Sequence, residues 1–202
     1  MAKKIGFFGG SFDPVHLGHI NLAVRILEKE LVDKILFCPV HVSPTKRETP
    51  PIATPEQRLN ILQLALEDVP GCDPYDGEIS RPPLSYTIDT IRGLSGQVRL
   101  IVAEDTACGF NRWKEIDRLL ETAPPIIGVR YGFDRKKLNR LPEKIKLQIK
   151  AGLIRIPALD ISSTEIRDRL KKRLYCGHLL QGKVLDYIHR NTIYSYPCDK
   201  EF

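Results

Sequence analysis

The sequence of 202 residues contains no run of eighteen apolar residues, the length that a membrane-spanning helix requires. Its first apolar stretch is short and is interrupted by Gly9 and Gly10, so it does not resemble the core of a secretory signal peptide. Internal repeats and low-complexity tracts are also missing. We therefore expect a soluble, cytoplasmic protein with one domain over residues 1–202, ending in a loose tail at 195–202.

Cysteine is scarce, and its placement does not suit cross-links. The five cysteines are an odd number, they are scattered along the chain, and no two of them form a CxxC pair. This pattern argues against a disulfide framework and against a structural zinc site. We expect reduced thiols and no metal site built from protein side chains.

Positive charge is concentrated towards the C-terminus. Residues 1–129 hold 14 Lys and Arg against 17 Asp and Glu, whereas residues 130–202 hold 17 against 8. A basic region favours an anionic partner, but charge alone leaves nucleic acid, nucleotide phosphates and simple solubility open. The basic stretch 134–150 has no interleaved aromatic residues that could stack on bases. We interpret it as a solvated helix with a proline interruption, and we expect no nucleic acid or membrane partner.

Short apolar runs alternate with segments of helical periodicity along the whole chain. Strands are predicted at 4–8, 34–38, 99–103, 126–129 and 154–156, with a weaker candidate at 78–81. Helices are predicted at 17–30, 56–67, 87–94, 113–121, 163–174 and 180–191, and the proline-rich residues 40–53 are predicted to form a long loop. This alternation indicates an α/β fold with a doubly wound, mostly parallel, Rossmann-like sheet and a small helical part at about 163–194.

The most informative stretch is GGSFDPVHLGH at residues 9–19, between the first predicted strand and the first predicted helix. Nucleotides bind at this position in doubly wound folds. The stretch lacks the GxGxxG pattern of dinucleotide-binding redox enzymes. His16 and His19 can face one ligand together, Gly18 leaves room beside the helix, and the helix N-terminus favours phosphate. Asp13 suits either a magnesium ligand or a turn residue.

A second helix begins with ISSTEIR at residues 161–167. Ser162 and Glu165 form a predicted capping box, which by itself indicates only a well-started helix, as Thr54 and Gln57 do earlier in the chain. The three hydroxyl groups and Arg167 also favour an anion at this helix start. Two helix N-termini of this kind in one chain point to a polyphosphate held between them.

The two motifs together resemble those of the nucleotidyltransferase superfamily that carries HxGH and ISSTxIR signatures. More narrowly, the chain is similar to the bacterial nicotinate-nucleotide adenylyltransferases. Further matches to that family are SYTIDT at 85–90, Arg58, Asp105, Trp113 and Arg130. The resemblance covers about residues 4–194, and several motifs in the same order are far more specific than any one of them.

The resemblance implies that nicotinate mononucleotide attacks the α-phosphorus of ATP, giving the deamido-dinucleotide and pyrophosphate. It implies His16 and His19 as the catalytic pair. The implied ATP-binding residues are Gly9, Gly10, Ser11, Phe12, Gly18, Lys46, Ser162, Ser163 and Arg167. The implied mononucleotide-binding residues are Thr87, Asp105, Trp113 and Arg130. Magnesium is expected to arrive with ATP, without a dedicated protein site, and a homo-oligomeric state is left open.

The chain departs from the family pattern at two places. Thr45 stands where the family often has histidine, and Ala103 and Glu104 precede Asp105 where glycines are common. If Glu104 faces the pyridine pocket, its charge disfavours an acidic acceptor; if it faces elsewhere, it has no effect on the choice. The alternatives are therefore nicotinamide mononucleotide or, more remotely, phosphopantetheine as acceptor, and a nucleotide- or RNA-binding module without turnover.

Overall fold

A six-stranded parallel sheet forms the centre of the fold. The computed structural model describes residues 3–41, 50–81, 85–129, 134–157 and 159–194. The strands are β1 (Lys4–Gly10), β2 (Lys34–Pro39), β3 (Cys72–Pro74), β4 (Gln97–Ala103), β5 (Pro125–Val129) and β6 (Leu153–Arg155). They are arranged in the order β3-β2-β1-β4-β5-β6, and all neighbours are parallel. The predicted doubly wound sheet is confirmed.

Helices connect the strands. They are α1 (Leu17–Glu28), α2 (Pro55–Leu66), α3 (Thr87–Ile91), α4 (Glu104–Ala107), α5 (Ile116–Thr122), α6 (Glu143–Gly152), α7 (Ser163–Lys171) and α8 (Gly182–Arg190), with 3-10 turns at Phe110–Arg112 and Arg135–Arg140. The basic stretch 134–150 is thus helical on both sides of Pro142, as predicted. Within the described ranges, none of the helices combines the length and apolar character needed to span a bilayer.

One strand prediction is wrong. Residues 78–81 form a turn in which the amides of Ile79 and Ser80 donate to the Asp76 carbonyl, at 2.9 and 3.0 Å. The edge strand β3 lies earlier, at Cys72–Pro74. A strand of three residues that ends in proline is too short to show alternation, and proline is tolerated there because the strand lies at the sheet edge.

Helices cover both faces of the sheet. One hydrophobic core joins the sheet to α1, α2, α7 and α8, and the other joins it to α3, α5 and α6. Successive strand residues enter opposite cores: Phe8 and Ile101 face the first, whereas Phe7, Leu100 and Val102 face the second. The apolar runs predicted as strands are therefore buried on both sides, as a doubly wound sheet requires.

The strand order changes direction at β1, which lies between β2 and β4. In open α/β sheets, the connections on the two sides of such a position run over opposite faces of the sheet. This leaves a crevice beyond the carboxyl ends of the strands. Here that crevice is bounded by Gly10 at the end of β1 and by Ala103 at the end of β4. The predicted site motif at 9–19 begins at this point.

Candidate active site

A cavity of about 790 Å³ lies beyond the carboxyl ends of β1 and β4. It is lined by both motifs found in the sequence. The first contributes Gly9, Gly10, Ser11, Phe12, Asp13, His16, Gly18 and His19, and the second contributes Ser162, Ser163, Thr164 and Arg167. The N-termini of α1 and α7 therefore face one cleft, as the sequence predicted for two phosphate-binding helix starts.

A second cavity of about 350 Å³ adjoins the first. Three of the predicted mononucleotide-binding residues, Thr87, Asp105 and Trp113, line it together. The residues that line both cavities are Gly9, Gly10, Ser11, Asp105 and Thr106. The two spaces thus meet at the end of β1. Lys46, Thr45 and Arg130 lie outside the described residues.

The two histidines of the first motif are stacked at the start of α1. Their ring centroids are 3.8 Å apart, and the backbone N–H of His16 donates to Nδ1 of His19 at 3.3 Å. Since Nδ1 of His19 accepts this hydrogen bond, a neutral His19 ring carries its own proton on Nε2. Gly18 allows this stacking, because a Cβ there would lie 3.0 Å from Nδ1 of His16. The room that Gly18 leaves is therefore used by the His16 ring.

Burial keeps both imidazoles neutral. It lowers the pKa of His16 from 6.5 to about 4, and it lowers the pKa of His19 well below 6.5, with a further lowering from His16 itself. Nδ1 of His16 is buried without a hydrogen-bond partner in the part of the chain that the structure describes. At neutral pH the pair can donate hydrogen bonds to a ligand, while its own charge is zero.

Helix α7 is fastened to the loop that precedes α1. The Ser163 hydroxyl donates to the Pro14 carbonyl at 2.9 Å, and Nη1 of Arg167 donates to the Asp13 carbonyl at 2.7 Å. Ser162 caps the helix, its hydroxyl oxygen accepting from the amide of Glu165 at 3.1 Å. The second motif thus positions the first motif in addition to lining the cavity.

Asp13 acts as a structural residue of this loop. Its carboxylate is buried and accepts hydrogen bonds from the amides of Ile52 and Ala53, at 2.9 and 3.0 Å. The hydroxyl of Tyr194 donates to the same carboxylate at 2.8 Å. Of the two interpretations left open for Asp13, the structure supports the turn residue, because its oxygens are already used by protein donors.

Arg58 is a buried residue beside the site whose contacts the sequence did not reveal. Its side chain is 1% exposed, and it donates from Nη1 to the Ser11 carbonyl at 2.8 Å, from Nη2 to the His41 carbonyl at 3.2 Å and from Nε to the Ala53 carbonyl at 3.3 Å. Burial lowers its pKa, and nearby Asp13 opposes that shift. The sequence contained one indication of its burial: at helical spacing, Arg58 falls on the same face of α2 as the buried Ile61, Leu62 and Ala65.

Two predicted site features have different surroundings from those expected. The Phe12 ring is 2% exposed and packs edge-on against Phe8 and His19, so it supports the histidine from the core and leaves only backbone for a phosphate. Glu104 is buried and lines only the larger of the two cavities, whereas Asp105 lines both. Glu104 is therefore not among the residues that line the cavity containing Trp113.

Known proteins share both the sequence and the fold. Residues 7–169 match the cytidylyltransferase-like family. A probable nicotinate-nucleotide adenylyltransferase from Dictyoglomus turgidum is 36% identical, with 98% of each chain covered. One from Methylacidiphilum infernorum is 35% identical over 95% of this chain and 92% of its own. The solved Plasmodium falciparum nicotinic acid mononucleotide adenylyltransferase complexed with NaAD has a TM-score of 0.74 at 20% identity, covering 95% of this chain and 97% of that chain, which shows the shared fold.

Proposed function

Since this chain belongs to the cytidylyltransferase-like family and, within it, to the nicotinate-nucleotide adenylyltransferases, we propose that it transfers the adenylyl group of ATP to nicotinate mononucleotide. A 5′-phosphate oxygen of the mononucleotide forms a bond to the α-phosphorus of ATP. The bond from that phosphorus to the oxygen bridging to the β-phosphorus breaks. The products are nicotinate adenine dinucleotide and pyrophosphate.

The meeting of two cavities at the end of β1 is the observation that carries this proposal. The larger cavity has the two helix N-termini that suit a triphosphate, and the smaller has Trp113, an aromatic surface on which a pyridine ring can stack. Substrates placed in this way meet beside Gly9, Gly10 and Ser11, which line both spaces. Holding the two reacting groups side by side supplies much of the catalysis that a direct displacement needs.

The histidine pair is assigned to the reacting phosphates. Because its pKa is low, His19 is neutral and presents Nε2–H as a hydrogen-bond donor, and His16 lies stacked beside it. Fixed donors at a helix N-terminus stabilise negative charge that develops on phosphate oxygens, without any proton transfer. Ser162, Ser163 and Arg167 would lie at the pyrophosphate end, and Lys46 and Arg130 remain predicted contributors.

Magnesium is assigned to the substrate. Among the described residues, no three His, Cys, Asp or Glu side chains are grouped so that they could hold a metal ion. The buried Asp13 carboxylate in the cleft already accepts from two amides and a hydroxyl. We therefore assign Mg²⁺ to the triphosphate of ATP, where it would neutralise part of the phosphate charge.

The test is release of pyrophosphate from ATP and nicotinate mononucleotide, comparing the wild type with His19→Ala. We expect turnover to fall by a factor on the order of 10² to 10³, with the folded structure retained by circular dichroism. His189→Ala, at an exposed position of α8, is the matched control and should turn over like the wild type.

Each contrary result has a separate meaning. Equal rates for His19→Ala and the wild type would show that the histidine pair has been misassigned. A wild type that releases pyrophosphate faster with nicotinamide mononucleotide would refute the choice of acceptor. A wild type that releases none with either acceptor would refute the proposed function.

A further inference from the structure

A buried carboxyl group lies next to the smaller cavity, outside both motifs. Glu78 is 1% exposed and stands in the turn between β3 and α3. Its Oε1 accepts a hydrogen bond from the Thr90 hydroxyl at 2.9 Å, whereas Oε2 has no hydrogen-bond partner within the described ranges. Burial raises the pKa of this carboxyl. Packing alone does not explain such a group, because an apolar side chain would occupy the space at lower cost.

Glu78 is the last member of a chain of hydrogen bonds. Nη2 of Arg81 donates to the Thr90 hydroxyl oxygen, and Nε of Arg81 donates to the Gly77 carbonyl at 2.6 Å. Arginine is only a donor, so the hydroxyl proton of Thr90 points at an acceptor, and Oε1 of Glu78 at 2.9 Å is closer than the Tyr86 carbonyl at 3.4 Å. The direction of the chain is therefore Arg81 to Thr90 to Glu78, and removing the hydroxyl breaks the links to both side chains.

These bonds fix the wall of the smaller cavity. Ser85, Tyr86 and Thr87 line that cavity, and the Ser85 hydroxyl donates to the Glu78 carbonyl at 3.2 Å. Thr90 lies one turn further along α3, a helix of only five residues. Such a short helix is not stable by itself, so its position depends on the core packing of Ile88 and Ile91 and on hydrogen bonds to other parts of the chain. Glu78 holds the segment at Ser85 and again at Thr90.

We infer that Glu78, Thr90 and Arg81 are positioning residues that set the affinity of the smaller cavity for a pyridine mononucleotide. They act through the Ser85–Thr87 wall, and none of the three lines either cavity. The larger cavity is lined mainly by β1, α1, β4, α7 and the loops beside them, so we expect ATP binding not to depend on these three residues. This inference rests on the proposed function, since it takes the smaller cavity to be the mononucleotide site.

The test compares Thr90→Val, which keeps the shape and removes the hydroxyl, with Thr90→Ser, which keeps the hydroxyl. Trp113 is the one tryptophan of the chain and lines the same cavity, so its fluorescence reports mononucleotide binding without turnover. We expect Thr90→Val to raise the Kd and the KM for nicotinate mononucleotide about tenfold. Thr90→Ser should stay within about twofold of the wild type, and the KM for ATP should be unchanged in both.

Two results would overturn the inference. One is mononucleotide binding by Thr90→Val that equals that of the wild type. The other is an equal loss of affinity for ATP and mononucleotide, which would indicate general loosening of the fold. If circular dichroism shows Thr90→Val to be unfolded, Arg81→Met decides in its place, with the same one-sided effect expected. A wild type with neither a fluorescence change nor pyrophosphate release would refute the proposed function instead.

Discussion

Replacing Arg58 by methionine tests the idea that one buried cation holds three loops around the active site. Methionine keeps much of the aliphatic stem but removes every donor. The carbonyls of Ser11, His41 and Ala53 would lose their partners at 2.8, 3.2 and 3.3 Å. The buried carboxylate of Asp13 would also lose the favourable field of the guanidinium, which the pKa of Arg58 reflects.

The expected magnitude follows from the burial. Removing one partner from a buried charge arrangement costs about 3 to 5 kcal/mol, because the remaining polar groups stay buried without compensation. For a protein of this size each kcal/mol lowers the thermal midpoint by about 2 to 4 °C, so the midpoint should fall by roughly 6 to 20 °C. Ser11 lines both cavities, so the KM values for both substrates should rise as well.

Urea unfolding followed by circular dichroism gives the free energy of unfolding, and steady-state assays well below the new midpoint give the KM values. Arg118→Met is the control, because that side chain is 68% exposed, and its effect should stay within about 0.5 kcal/mol. A loss of less than about 1 kcal/mol in Arg58→Met would refute the reasoning. It would mean that water or the neighbouring backbone satisfies the three carbonyls.

Two further predictions concern the same loop. The pKa of His16 is 6.5 when unfolded and about 4 when folded, so the unfolded chain binds a proton that the folded chain excludes. The free energy of unfolding should therefore fall by about 3 kcal/mol as the pH drops from 6.5 to 4, and His16→Gln should lose this part of the dependence; identical pH profiles in urea unfolding would contradict it. Tyr194→Phe removes the 2.8 Å hydrogen bond to Asp13 and should cost about 2 kcal/mol, and an unchanged thermal midpoint would argue against that bond.

Local patterns in the sequence were sufficient to predict most of the fold. Thr54 and Gln57 form the predicted capping box, with Pro55 opening α2. The apolar runs of β1, β2, β4 and β5 were recognisable because both faces of each strand are buried. At α7, one of the two hydrogen bonds of the predicted capping box is among the described contacts: the Ser162 hydroxyl oxygen accepts from the Glu165 amide. The edge strand β3 was missed because its pairing with β2, and not its own pattern, makes it a strand.

The site was predictable where its residues are neighbours in sequence. His16 and His19 stack because one helical turn separates them, which a spacing rule can foresee. The contacts of Asp13 to Ile52 and Tyr194 cross 39 and 181 residues, and no local pattern encodes such pairings. The sequence could therefore indicate that Asp13 holds a turn, but it could not identify what it holds.

The contacts of the loop before α1 concern the proposed phosphate site, because two arginines beside that site bind protein carbonyls. The carbonyls of Ser11, Asp13 and Pro14 accept from Arg58, Arg167 and Ser163. A carbonyl oxygen facing a polyphosphate would repel it, whereas one bonded to a guanidinium has its partial charge compensated. If the cleft binds a polyphosphate as proposed, the two arginines supply positive potential through the loop that they hold, and the neutral histidines supply the directed donors. On this account, phosphate affinity depends on loop order as much as on direct contacts.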